Sequence, residues 1–309
     1  MKDWIHAARL RTLSLSISGI IVGSFIARWQ LNTNSGGTWD LSVFILALLV
    51  TVLYQVLSNF ANDYGDGIKG TDAKRVNEAE ARAVASGRIT PRQMKTAVWL
   101  TAGVSFAATV ALLYIAFFPN HIRVFWGFIG LGILCILAAI GYTVGKKPYG
   151  YMGLGDIMVF LFFGLVSVGG SYFLFTKSWD WALLLPASAV GMMSAAVLNL
   201  NNMRDIESDR ESGKKTLALR LGFRRAMIYQ MVLLILPLVF ILIFLGVKGF
   251  FYSRNYYAFM VMILLFPMMN LRRRIMAVKE PRALDPFLKQ VGIITLMMAI
   301  LLAFGLNYF

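Results

Sequence analysis

The sequence predicts an all-α, polytopic membrane protein with about nine transmembrane helices. Three observations favour this fold class: 58% of the residues are hydrophobic, only 15% are charged, and the apolar residues fall into long runs. Soluble proteins carry roughly 25% charged residues. Because a membrane-spanning helix needs about 20 apolar residues, nine spans would use about 180 residues of the chain. The rest would form loops.

Nine apolar runs define the predicted helices in chain order. They cover residues 12–28, 41–60, 96–118, 122–142, 154–176, 180–200, 226–247, 256–271 and 287–308. Glycine, alanine and serine recur within them, which favours close packing of helices in lipid. We expect the first run to be retained as a span, not removed as a signal peptide, and residues 1–309 to form one transmembrane domain.

The basic residues predict how the chain is oriented in the membrane. When the loops between the nine runs are assigned alternately to the two sides, 25 of the 30 lysines and arginines fall on one side and 5 on the other. Positive charge concentrates in cytoplasmic loops. We therefore expect a cytoplasmic N-terminus, a C-terminus across the membrane, and the long loops at 61–95, 201–225 and 272–286 in the cytoplasm.

Two clusters of acidic residues follow the second and sixth runs, and each begins with amide side chains. The possible metal ligands are Asn62, Asp63, Asp66, Asp72, Asp205 and Asp209. On a helix, the pairs spaced by three or four residues would share a face and could converge on one ion. Oxygen ligands without His or Cys indicate a hard divalent ion, most plausibly Mg²⁺, and hence a substrate that carries phosphate. The alternative is that these acids are solvated loop charges balanced by nearby lysines and arginines.

Basic residues beside these acids could bind a diphosphate. They are Lys69, Arg82, Lys146, Lys147, Arg204 and Lys215. Taken alone, each is better explained as a marker of the cytoplasmic side. Lys146 and Lys147 are favoured because the loop that carries them is short. Asp156, at the start of the fifth run, is either an N-cap residue or a functional group facing a cavity.

Several function classes lack their signatures. The single cysteine, Cys135, excludes a disulfide framework and a Cys-rich metal site. The sequence contains no Walker-type phosphate loop and no serine elbow, which disfavours ATP-driven transport and acyl hydrolysis. An ion-coupled secondary transporter stays an alternative, although transporters usually place such acids near the middle of the bilayer.

At these acidic residues the chain resembles the UbiA superfamily of intramembrane prenyltransferases. The two aspartate motifs are Asn62-Asp63-x-x-Asp66 and Asp205-x-x-x-Asp209. The strings at 59–72, 142–156 and 201–222 are similar to the MenA group, which prenylates 1,4-dihydroxy-2-naphthoate. The resemblance implies a helical bundle around a central cavity in the bacterial cytoplasmic membrane, with the active site on the cytoplasmic side.

The resemblance also implies a reaction. Two Mg²⁺ ions held by the aspartates would assist departure of diphosphate from a polyprenyl diphosphate, and the naphthoate ring would be alkylated with loss of CO2, giving demethylmenaquinone. Related enzymes that use 4-hydroxybenzoate, a chlorophyllide or haem as acceptor are close alternatives. We assign catalytic roles to Asp66, Asp205, Lys146 and Tyr142, and acceptor binding to Asn59, Asn202 and Asp156. Tyr142 could instead be an ordinary interfacial tyrosine.

Overall fold

The computed structural model describes residues 1–34, 37–70, 82–253 and 255–308, and all regular secondary structure in those ranges is helical. The helices are α1 Lys2–Ala8, α2 Leu13–Asn34, α3 Leu41–Ile68, α4 Pro91–Phe117, α5 Ile122–Gly141, α6 Gly155–Val159, α7 Gly170–Thr176, α8 Leu184–Arg204, α9 Ile206–Glu211, α10 Leu217–Leu221, α11 Phe223–Val247, α12 Leu265–Met276 and α13 Asp285–Asn307. A π-helical segment, Phe160–Gly169, joins α6 to α7. The predicted all-α fold class is confirmed.

The number of spans is close to the nine predicted. Among the described residues, seven helices are long and apolar enough to cross a membrane. An eighth span forms if α1 and α2, which meet at a bend of 53°, are taken together. The predicted run at 256–271 is divided between a 3-10 helix, Tyr256–Leu264, and α12. Neither part alone has the length of a span.

Two helices extend beyond the predicted apolar runs, and these extensions carry polar residues. α3 continues to Ile68, so that Asn62 and Asp66 lie on its last turns. α8 continues to Arg204 and ends at Asp205, whose backbone (φ −94°, ψ 12°) interrupts the helix before α9 begins. Both predicted metal motifs therefore lie at helix ends.

Glycine allows the spanning helices to approach closely. A Cβ atom added at Gly23 of α2 would lie 2.2 Å from the carbonyl oxygen of Val168 in the π-helical segment. A Cβ added at Gly191 of α8 would lie 2.8 Å from the carbonyl oxygen of Phe160 in the same segment. α2 and α8 thus hold this segment between them by backbone contact, as expected where lipid removes the hydrophobic drive for association.

The loops at one end of the bundle contact each other. Arg220 Nη2 donates to the carbonyl oxygen of Met152 at 2.8 Å, and Arg204 pairs with Asp285 at the start of α13. At the opposite end, Lys248 pairs with Asp180. The acidic motifs and most of the basic residues share the first of these ends.

The packing at Gly191 predicts the effect of one added methyl group. Gly191→Ala should lower the free energy of unfolding by about 1–3 kcal/mol, because the new Cβ would press on the backbone of Phe160. The measurement is the thermal unfolding midpoint of the purified protein. Gly130→Ala is the matched control, since a Cβ there meets nothing within 4 Å. An equal midpoint for the two variants would contradict the close approach.

Candidate functional site

A cavity of about 380 Å³ lies within the bundle and combines a polar end with an apolar chamber. Its lining runs along α3 from Ala47 to Asp66, a separation of about 28 Å on a helix that rises 1.5 Å per residue. The polar end is formed by the ends of α3 and α8. The apolar chamber includes Val50, Leu112, Leu113, Phe128, Leu131, Phe162 and Phe163. The cavity therefore suits a long apolar group with a charged head.

One face of α3 supplies a polar strip to this cavity. Gln55, Asn59, Asn62 and Asp66 are spaced by four, three and four residues, so they lie on one face, and all four line the cavity. Gln55 donates to Asn59 at 3.3 Å and accepts from Ser16 of α2 at 2.5 Å. These hydrogen bonds fix the amides in place. Asn59, predicted to bind the acceptor, is thus on the cavity wall.

The Asp63 carboxylate does not line the cavity that Asp66 lines. Its two carboxylate oxygens each accept a backbone N–H at 3.1 Å, one from Ala83 and one from Val84. Its side chain is buried, and it is not part of the cavity lining. The two carboxylates therefore do not converge in this arrangement, and a metal-binding role for Asp63 stays a prediction. Asp63 instead anchors the segment that begins with Arg82.

Asp66 is surrounded by positive charge and a hydroxyl group. Arg82 pairs with its Oδ2 and also donates to the carbonyl oxygen of Asn62 at 2.8 Å. Tyr151 donates to its Oδ1 at 2.6 Å, and Lys214 Nζ lies 3.4 Å from its Oδ2. These contacts compensate a carboxylate that is only 1% exposed. A buried carboxylate requires such partners.

The second motif is positioned by Arg204. Its guanidinium donates hydrogen bonds to both carboxylate oxygens of Asp205, at 2.8 and 2.9 Å. It also contacts Asn201 and Asp285. Arg204 lies behind Asp205 and is not part of the cavity lining, although it was predicted to bind diphosphate. Asp205 and Asp209 both line the cavity.

Lys214 joins the two acidic motifs. Its ammonium nitrogen lies 3.4 Å from Asp66 and 3.8 Å from Asp209 Oδ1, and it lines the cavity. The neighbouring Lys215, which was the predicted residue, is exposed, and its backbone N–H donates to the carbonyl oxygen of Tyr151 at 3.0 Å. Sequence reasoning missed Lys214 and Tyr151. The sequence shows Lys214 only as one of two adjacent lysines. Which of the two side chains points to the acids depends on the turn at Gly213.

The turn after α5 packs against α3. Thr143 donates to the carbonyl oxygen of Ala61 at 2.9 Å, and it can approach because Gly65 has no side chain. Lys69 donates to the carbonyl oxygen of Thr143 at 2.8 Å and lies 4.4 Å from the ring centroid of Tyr151. Lys69 therefore stands behind Tyr151 and outside the cavity lining.

The other predicted residues fall into different environments. Tyr142 and Asn202 line the cavity, and burial raises the pKa of the Tyr142 phenol, so its hydroxyl group stays protonated at neutral pH. Lys146 and Lys147 are exposed on the turn after α5. The prediction for Asp72 concerns a position outside the described residues.

Asp156 does not line the cavity. It is buried at the start of α6 and interacts with Tyr229 of α11. The structure thus places it between helices, whereas Asn59 and Asn202, the other residues predicted to bind the acceptor, line the cavity.

The side chains at the polar end of the cavity are of the type that binds divalent metal ions. Asn62, Asp66, Asn202, Asp205 and Asp209 all line the same cavity, and each carries side-chain oxygen atoms. In the described part of the chain, no three Asp, Glu, His or Cys side chains converge tightly enough to form a ready-made metal site. Arg82, Lys214 and Arg204 occupy the carboxylates instead. A metal would bind by exchange with these cations.

Comparison with known proteins assigns the fold and the family. The family sequence model for UbiA prenyltransferases matches residues 20–290 of this chain. The chain is 41% identical over 307 residues to a 1,4-dihydroxy-2-naphthoate octaprenyltransferase of Haemophilus influenzae, covering 99% of this chain and 96% of the relative. It is 41% identical to the Escherichia coli protein of the same name, covering 93% of this chain and 89% of the relative.

A solved structure shares the fold. A UbiA homologue from Archaeoglobus fulgidus, bound to GPP and Mg²⁺, superposes with a TM-score of 0.66 at 14% identity, covering 99% of this chain and 100% of that one. At this identity the likeness concerns the fold alone.

The orientation of Asp63 predicts a structural role for its carboxylate. Asp63→Ala should lower the free energy of unfolding by about 2 kcal/mol or more, because two buried backbone N–H groups lose their acceptor. The measurement is the thermal unfolding midpoint without substrate or metal. Glu207→Ala, which removes an exposed carboxylate, is the control and should change little. A midpoint for Asp63→Ala equal to that of the control would contradict the anchoring role.

Proposed function

The chain belongs to the UbiA prenyltransferase family, and we propose that it transfers a polyprenyl group from a polyprenyl diphosphate to 1,4-dihydroxy-2-naphthoate. The products are diphosphate, CO2 and the quinol form of demethylmenaquinone. The observation that carries this proposal is the 41% identity to two enzymes of that activity over nearly the full chain. The arrangement of Asp66 and Asp209 on either side of Lys214, at the polar end of an apolar cavity, supports it.

The polar end of the cavity would hold the diphosphate. We propose that Asp66, Asp205 and Asp209, with Asn62 and Asn202, hold two Mg²⁺ ions. Magnesium, when bound, neutralises the diphosphate and stabilises it as a leaving group. Arg82 and Lys214 line the same region and would bind phosphate oxygens, with Lys69 adding positive charge behind Tyr151. Diphosphate binding by Lys146, Lys147, Arg204 and Lys215 stays a prediction, as does a catalytic role for Lys146.

The apolar chamber would hold the prenyl chain. Its lining of leucine, valine and phenylalanine excludes water from the allylic carbon, which develops positive charge as the C–O bond breaks. Phe162 and Phe163 present aromatic rings, and the negative face of an aromatic ring attracts a cation. Tyr142, whose ring packs edge-on against Tyr149 with centroids 5.3 Å apart, lies between this chamber and the acids.

The polar strip of α3 would bind the aromatic acceptor. Gln55 and Asn59 reach farther along the cavity than Asp66, and Ser16 and Thr12 face them from the N-terminal part of the chain. Amide and hydroxyl groups at this level can hydrogen-bond the two ring hydroxyls and keep the electron-rich ring beside the allylic carbon. Arg9, which also lines the cavity, supplies positive charge for the acceptor carboxylate.

The protein is a multi-pass membrane protein. We propose that it lies in the bacterial cytoplasmic membrane with the charged end of its cavity facing the cytoplasm. The concentration of lysine and arginine in the loops at that end supports this orientation. Neither a 4-hydroxybenzoate acceptor nor secondary transport is favoured by the relatives.

A product assay tests the proposed reaction. The purified protein, incubated with Mg²⁺, a polyprenyl diphosphate and a panel of aromatic acids, should prenylate 1,4-dihydroxy-2-naphthoate and release CO2. Products are identified by mass spectrometry, and a reaction with excess chelator is the control. Preferential prenylation of 4-hydroxybenzoate would contradict the assigned acceptor, and full turnover in chelator would contradict the metal.

Substitution in each acidic motif tests the metal ligands. Asp66→Asn and Asp205→Asn should each reduce kcat at least about a hundredfold, because the charge that stabilises the leaving group is no longer held in place. Glu207→Gln, which changes an exposed acid two residues from Asp205, is the matched control. Thermal unfolding checks that the variants fold. Turnover near the wild-type rate in either motif variant would refute the assignment.

A further inference from the structure

We propose that Lys214 is a tethered counter-ion that competes with the divalent metal for the two acidic motifs. The proposal rests on the proposed function, since it concerns the same metal site. It assigns to Lys214 a role as a positioning residue: its ammonium group holds the motifs together and sets how tightly they bind a metal.

The first step is the position of the ammonium group between carboxylates of both motifs. Lys214 Nζ lies 3.4 Å from Asp66 Oδ2 and 3.8 Å from Asp209 Oδ1. The exposed fractions of the three side chains are 12%, 2% and 6%. Because these charges are largely buried, salt and water screen their attraction less than at a surface. The ammonium therefore offsets the mutual repulsion of two acids that face each other.

The second step is that the backbone fixes Lys214 in this position. Gly213 adopts a left-handed conformation, with φ 73°, and Lys214 donates its backbone N–H to the carbonyl oxygen of Asp209 at 3.0 Å. On the other side, Lys215 N–H is bound to Tyr151, and Thr216 caps α10. The side chain of Lys214 thus starts from a constrained point beside the second motif.

The third step is the support given by Tyr151. The Lys214 ammonium lies 4.8 Å from the centroid of the Tyr151 ring, and the hydroxyl group of the same tyrosine donates to Asp66 at 2.6 Å. A cation near an aromatic face is attracted by the ring. Tyr151 therefore aligns the ammonium with the carboxylate that it neutralises.

Competition follows from the shared oxygen atoms. A hard divalent cation needs Asp66 Oδ2 and Asp209 Oδ1 with their lone pairs directed at the metal. The ammonium group occupies those same oxygens and would repel a second cation at this distance. Arg82 also pairs with Asp66 Oδ2, whereas Lys214 contacts an acid of each motif. Metal binding between the two motifs thus requires Lys214 to move away, and the affinity of the protein for metal alone is reduced accordingly.

The test measures Mn²⁺ binding to the purified full-length protein without substrate, by electron paramagnetic resonance of the free ion. Lys214→Met should bind Mn²⁺ about tenfold more tightly than the wild type, which corresponds to about 1.4 kcal/mol. Lys214→Arg keeps the charge and should bind as the wild type does. Lys215→Met is the matched control, since it removes the same charge one residue away and should change affinity little.

A structural readout accompanies the binding measurement. In chelator, Lys214→Met should unfold at a lower temperature than the wild type, because two facing acids lose their shared cation. Saturating Mn²⁺ should abolish this difference. Lys214→Gln serves the same purpose if the methionine variant does not fold. Mn²⁺ affinity that is unchanged or weaker in the uncharged variants overturns the proposal.

The design separates this proposal from the proposed function. If the wild type binds no Mn²⁺ saturably, or if Asp66→Asn leaves Mn²⁺ affinity unchanged, the metal site itself fails. If the wild type binds Mn²⁺ and loses affinity in Asp66→Asn, while Lys214→Met binds no more tightly than Lys215→Met, only the competition by Lys214 fails.

Discussion

Compensation of buried carboxylates is the constraint on which the polar end of this protein depends. Asp63, Asp66, Asp205 and Asp209 lie at or near the ends of apolar helices, where an unpaired charge would be strongly unfavourable. Backbone N–H groups, guanidinium groups and an ammonium group provide the compensation. Asp63 accepts backbone N–H groups, Asp205 binds the Arg204 guanidinium, and Asp66 pairs with Arg82 and shares Lys214 with Asp209. Because these carboxylates need positive charge nearby, the same site can bind a divalent metal ion.

The helices place these groups by two local features. α3 runs on past its apolar part, so that Asn59, Asn62 and Asp66 follow one another along a single cavity wall. α8 stops before Asp205, and the break lets Asp205 reach the cavity from the junction and Asp209 from the short helix α9. Another part of the cavity wall is the π-helical segment, which is fixed because glycines of α2 and α8 let these helices pack closely on it. A rigid, mostly apolar bundle thereby presents a compact set of polar groups at one end.

Much of this could be predicted from the sequence, because apolar run length and charge distribution report directly on spans. The spacing of Asp66 and Asp205 within amide-rich strings also indicated where the polar site would lie. The helix period places Asp63 and Asp66 close together, but it cannot tell which of them lines the cavity. That depends on the backbone at Ala83 and Val84, which binds the Asp63 carboxylate. The choice between Lys214 and Lys215 depends on a glycine turn and on Tyr151, which are distant in sequence from Asp66. Such contacts are set by tertiary structure.

The guanidinium of Arg204 links Asp205 to Asp285, the first residue of α13. Asp285 is not part of the cavity lining, yet it shares the cation that orients an acid inside it. α13 also packs on α2 and α8, so a movement of α13 would be transmitted to the second motif by helix packing as well as by Arg204. α13 thereby controls the orientation of Asp205 through a residue outside the cavity, and an inhibitor that separates α13 from α8 would disable the enzyme by disturbing that orientation.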